Sequence, residues 1–133
     1  MSPVSPVIVG GGPVGLFLAL ALLRRGVVPH VLEPRAEHKH GSRSIGIHPP
    51  SLELLDELGV IDAFLERGVH VRGGIAMTPD GELGRITFDD CPGPYRFVLT
   101  LPQEETERIL REELERRAPG ALIRAELACL RPN

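Results

Sequence analysis

The chain has 133 residues, enough for one domain with a modest core, and its 42% hydrophobic and 25% charged content is ordinary for a globular protein and excludes a largely disordered one. A net charge of −3 gives no basic footprint for nucleic acid, and no Lys/Arg cluster sits beside an amphipathic helix to favour an anionic membrane. Cys91 and Cys129 stand alone, and His38, His40 and His48 have no spacing that closes a metal site, so no metal is expected.

The opening MSPVSP carries no Lys or Arg, and the first long apolar run, Val14 to Leu23, is too short to span a bilayer; a cytoplasmic protein follows by default. Val7, Ile8 and Val9 form the continuous apolar run of a strand buried on both faces. Gly10-Gly11-Gly12-Pro13-Val14-Gly15 follows, and residues 14–25 read as a helix that is apolar nearly all round, as if covered on more than one side. Arg24, Arg25 and Gly26 close that helix. Val27 to Leu32 reads as a second strand that ends at Glu33 and is stopped by Pro34.

Residues 34–48 are polar and read as a loop. Pro49-Pro50-Ser51 opens a short helix with Leu52, Leu55 and Leu58 on one face and Gly59 after its end, and Ile61 to Arg67 reads as another. From Val69 to Phe97, glycines, Pro79 and Asp80 punctuate short apolar runs, which predicts hairpins. Gln103 to Arg117 is the clearest late helix, with Glu104–Arg108, Glu107–Arg111, Glu112–Arg116 and Glu113–Arg117 in the favoured i,i+4 order and Ile109, Leu110 and Leu114 as its buried stripe. Thr100 to Gln103 fits a capping box, with Thr100 as N-cap and Gln103 at N3. Ala121 to Leu130 reads as a final strand.

Chemistry enters at the glycines. Gly10, Gly12 and Gly15 match G-x-G-x-x-G between a strand and a helix, and a second strand ends in an acid 18 residues after Gly15. Gly10 permits the tight turn, Gly12 lets a pyrophosphate approach the backbone, and Gly15 lets the helix pack closely on the strand. The N–H groups around Pro13 and Val14, at the positive end of the helix dipole, hold the anion, and Glu33 can accept from ribose hydroxyls while repelling a 2′-phosphate. These features describe an ADP cradle and do not by themselves separate FAD from NAD. A hairpin segment at residues 69–97 argues against an NAD-linked dehydrogenase, which would continue βαβ there.

The stretch from Gly41 to Leu55, GSRSIGIHPPSLELL, resembles the FAD-dependent aromatic hydroxylases of the p-hydroxybenzoate hydroxylase type. So do the opening VIVGGGPVGL, the Leu32-Glu33 strand end, and Leu101-Pro102-Gln103 leading into a Glu- and Arg-rich helix. The resemblance implies an α/β fold: a Rossmann-like FAD-binding βαβ unit with a parallel sheet and a β-hairpin insertion. It implies that Glu33 binds the adenosine ribose, that Arg43 lies along the phosphate and ribityl region, and that Gln103 contacts the flavin-side part of the cofactor. Arg43 as a solvated loop cation, and Gln103 as a capping residue, remain open alternatives; Arg35 and Lys39 read as loop cations.

Residues 1–133 then form an incomplete FAD-binding domain: 1–68 the βαβ unit and cofactor loop, 69–100 the start of substrate-side hairpins, and 101–133 a returning helix and strand. Family members are much longer, and their later Asp-Gly and Gly-Asp segments are not in this sequence, so it reads as truncated. The implied activity is hydroxylation of a small aromatic substrate with NAD(P)H and O₂. No residue stands out as catalytic. The alternative is a non-catalytic FAD-binding remnant or regulatory module.

Overall fold

The structure is a computed structural model that describes residues 5–35, 46–129 and 131. The chain divides into two compact units, one made of residues 1–42 and 103–133 and the other of residues 43–102.

In the first unit, β1 (Val7–Val9) leads through the glycine turn into α1 (Pro13–Arg24), and β2 (His30–Leu32) returns parallel to β1 with Val7 opposite His30 and Val9 opposite Leu32. Three consecutive β-branched residues favour the extended backbone of β1, and Pro13, with its fixed φ, starts α1 at a position where no N–H is needed. After α1, Gly26 donates to the Leu23 carbonyl and Val27 to the Leu22 carbonyl, which satisfies the last turn and reverses the chain. The strand predicted from Val27 begins only at His30. Pro29 has no N–H to give a ladder and is buried instead.

A second segment, far along the chain, completes this unit. Here α4 (Gln103–Arg117) packs on α1, and β8 (Leu122–Ile123) joins β2 in parallel, giving the sheet order β1-β2-β8. Among the described residues, the strand expected over Ala121 to Leu130 comes down to these two, because its partner β2 is itself only three residues long. Leu16, Ala19 and Leu20 of α1 and Ile109, Leu110 and Leu114 of α4 are buried, as is Val31 in the middle strand. The expectation that α1 is covered nearly all round fails at Val14 and Leu18, which are 82% and 46% exposed.

In the second unit, β3 (Gly46–Ile47) and β4 (Val69–Val71) flank β7 (Val98–Thr100), both antiparallel to it. Between them lie α2 (Pro49–Glu57) and α3 (Ile61–Arg67), whose Leu52, Leu55 and Phe64 are buried. The strand β3 was expected to be loop; its two residues extend because β7 offers them backbone partners some fifty positions later. A single hairpin stands where several were expected: β5 (Gly73–Thr78) and β6 (Gly81–Thr87), joined through Pro79 and Asp80. Every residue of β5 is exposed, including Ile75 and Met77.

Candidate functional site

The parallel sheet places the ends of β1 and β2 side by side, so the glycine turn and Glu33 meet. Gly10 donates to the Leu32 carbonyl at 2.8 Å, tying the turn to the neighbouring strand. Gly10 has φ +108°, a conformation that strains any residue with a Cβ. Gly15 faces a different constraint: a Cβ there would stand 2.0 Å from the Gly10 carbonyl oxygen. Gly12 is the N-cap of α1, and among the described residues a Cβ on it would meet nothing within 4 Å. The turn is thus packed tightly underneath and open above Gly12.

The open side carries donors. Leu16 makes the first helical hydrogen bond, to the Gly12 carbonyl at 3.0 Å, so the N–H groups of Val14 and Gly15 lie ahead of it at the positive end of α1. Among the described residues no side chain caps this terminus, and its first turn holds no acidic residue. Such an end favours an anion.

Glu33 follows β2 directly, and its backbone N–H bonds the Ile123 carbonyl at 3.0 Å. It is one of two buried charged residues among those described, only 3% exposed. Its Oε2 accepts from the Gly11 N–H at 2.8 Å and from Arg35 Nη2 at 2.9 Å. Its Oε1 accepts from the Arg35 N–H at 3.0 Å and from Arg35 Nε at 2.8 Å. The Arg35 guanidinium bond, aided by the Arg35 and Gly11 N–H groups and opposed by burial, pulls the Glu33 carboxyl down from 4.5 to about 2. Gly11 is also fitted to this acid, since a Cβ on it would come within 2.8 Å of the Glu33 Cβ.

From α4, Gln103 donates through Nε2 to Oε1 of buried Glu107 at 2.8 Å, and Arg111 reaches the Gly11 carbonyl through Nη2 at 3.4 Å. Gln103 is the first residue of α4, and Thr100 is the last residue of β7. Of the four predicted i,i+4 pairs, Glu113–Arg117 is formed, while Arg108 and Arg116 also make i,i+3 pairs with Glu105 and Glu113.

The structure therefore gathers Gly10, Gly12, Pro13, Val14, Gly15 and Glu33 at the end of the parallel sheet, in the same unit as Gln103. Arg43, Lys39, His38 and His40 lie outside the described residues. The sequence reads Arg35 as a loop cation and Glu107–Arg111 as an ion pair along the helix, and places none of the three at the site. The spacing Gln103, Glu107, Arg111 is a run of i,i+4 steps and marks a polar ridge on an otherwise apolar-striped helix, a signal that was available. Arg35 had no such signal. Among the described residues no cluster of His, Cys, Asp or Glu could hold a metal, and no helix is long and apolar enough to cross a membrane.

Comparison with known proteins gives three findings. The sequence pattern of the family described as FAD binding domain matches residues 3–129. Pentachlorophenol 4-monooxygenase of Sphingobium chlorophenolicum is 36% identical over 82% of this chain and 20% of its own length; 6-methylpretetramide 4-monooxygenase of Streptomyces rimosus is 38% identical over 95% of this chain and 23% of its own. The crystal structure of p-nitrophenol 4-monooxygenase from Pseudomonas putida superposes with a TM-score of 0.78 at 27% identity, covering 89% of this chain and 30% of that one. The chain spans about a fifth of the length of these curated relatives.

Proposed function

This chain belongs to the FAD binding domain family, and from that premise we propose that it supplies the ADP-binding part of the cofactor site of a flavin-dependent monooxygenase acting on a small aromatic or phenolic substrate. The observation that carries the reading is the pairing of an uncapped helix N-terminus, open above Gly12, with a buried carboxylate at the end of the adjacent parallel strand. The residues fit FAD. A diphosphate needs the N–H donors and the room above Gly12, and a ribose diol needs an acceptor fixed at the strand end.

In this reading Gly10, Gly12, Pro13, Val14 and Gly15 form the diphosphate cradle and Glu33 holds the adenosine ribose. Gln103 contacts the flavin-side part, and Arg43 lies along the phosphate and ribityl region. FAD, when bound, supplies electron transfer from NAD(P)H and the activation of O₂. The chain's own residues bind and orient it. Residues 1–133 are then part of an FAD-binding domain in a cytoplasmic enzyme. The three names above, each a 4-monooxygenase, support an aromatic substrate class.

Purification of the chain tests this directly. A yellow protein with a flavin spectrum is expected, and binding of NAD without FAD would overturn the reading. NADPH oxidation stimulated by a phenol separates an active monooxygenase portion from a binding module without turnover.

A further inference from the structure

Glu33 has four hydrogen-bonding positions, and its own chain fills all four. They are of two kinds. The Gly11 and Arg35 N–H groups are backbone donors fixed by the turn and the strand end, one on each oxygen. The other two donors, Nε and Nη2, belong to a single side chain, again one on each oxygen. That side chain is 50% exposed, whereas the Glu33 side chain is 2% exposed. One partner of the pair is anchored and the other can swing into solvent.

We infer that the Arg35 guanidinium is an exchangeable latch on Glu33, which stands in for the two hydroxyls of a ribose and must leave when the nucleotide binds. A guanidinium fork and a vicinal diol present the same thing to a carboxylate, two parallel donors, one for each oxygen. The backbone donors keep one bond on each oxygen, so the exchange leaves neither Glu33 oxygen bare in a buried position. The latch solves a problem set by burial. A buried carboxylate with only half its bonds would be costly, and Arg35 holds it ionised and in place until the ribose arrives. This inference rests on the cofactor reading and adds a competitor inside the site.

The test compares the 133-residue chain with its Arg35→Ala variant, and Arg35→Gln as a milder second variant, by calorimetric titration with ADP and with 2′,3′-dideoxy-ADP at neutral pH. Removing a half-exposed charged competitor should tighten ADP binding about threefold to tenfold. Dideoxy-ADP has no diol to exchange, so the same substitution should leave its affinity unchanged. A looser hold on ADP in the variants would mean that Arg35 grips the nucleotide itself, and equal gains for both ligands would mean general charge relief; either result overturns the latch alone. Absence of ADP binding in all three proteins overturns the latch together with the cofactor reading.

Discussion

Gly15 lies against Gly10 so closely that a Cβ on residue 15 would stand 2.0 Å from the Gly10 carbonyl oxygen and 3.3 Å from Ile8 Cγ2. The nearest obstacle is backbone, which cannot rotate away. The Gly15→Ala chain must therefore push α1 off the turn, at a cost of about 3 kcal/mol, near the upper end for overpacking. A urea denaturation curve checks this: its midpoint should fall with the slope nearly unchanged.

Gly12→Ala separates binding from folding. The position has an extended backbone that any residue adopts and open space where the methyl would go. Stability should change by less than about 1 kcal/mol, within the range of an N-cap substitution. Affinity for FAD should fall at least about tenfold, because the methyl takes the room the diphosphate needs. Flavin fluorescence quenching measures the second effect, and urea denaturation the first.

Acid should loosen the first unit through Glu33. Its carboxyl sits at about 2 in the folded chain against 4.5 for an ordinary glutamate, mainly because of the Arg35 bond. A lowered carboxyl stabilises the fold fully above the unfolded value. That contribution drains away as pH falls from about 4.5 towards 2. Denaturation midpoints measured across this window should drop for the native chain, and the drop should be shallower for Glu33→Gln.

Tyr95 offers a spectroscopic probe of the second unit. It is the only tyrosine, and the chain has no tryptophan, so phenolate absorbance reports this residue alone. Burial, reinforced by the hydrogen bond its hydroxyl donates to Asp56 at 2.8 Å, pushes it up from 10 to about 12. An alkaline titration should show ionisation near pH 12, moving down in Asp56→Asn. A raised phenol stabilises the fold below pH 10, and this support is lost as pH rises from 10 towards 12.

Self-association should accompany purification. β1 is an outer strand of its sheet, and Val7 and Val9 on it are 56% and 60% exposed. An open apolar edge is a template for pairing with another chain. Sedimentation velocity should show concentration-dependent assembly, and Val9→Lys should reduce it.

How much of this was legible beforehand follows from the range over which each feature is encoded. The glycine turn, α1 and α4 are local: Pro13 and the glycines fix the turn, and Ile109, Leu110 and Leu114 recur at helical spacing. The short strands are not legible locally because their partners decide them. Gly46–Ile47 extend only because Leu99 and Thr100 lie opposite, and Leu122–Ile123 go no further because β2 does not. At the site, the spacing of Gly15 and Glu33 announced the acid, but nothing in the order Glu33-Pro34-Arg35 announced the fork. That depends on the rotamer a half-exposed arginine adopts beside a buried charge.

The discontinuity of the first unit has a consequence for folding order. Its middle strand needs a neighbour from Leu122–Ile123, about ninety positions after Val31, while residues 43–102 form a unit without interruption. Closing so long a loop is entropically slow, and contacts at such separation form late. During synthesis the inserted unit can therefore mature first, with the glycine turn and its acid waiting on the last strand. Deuterium pulse labelling during refolding would show β7 protected before β2.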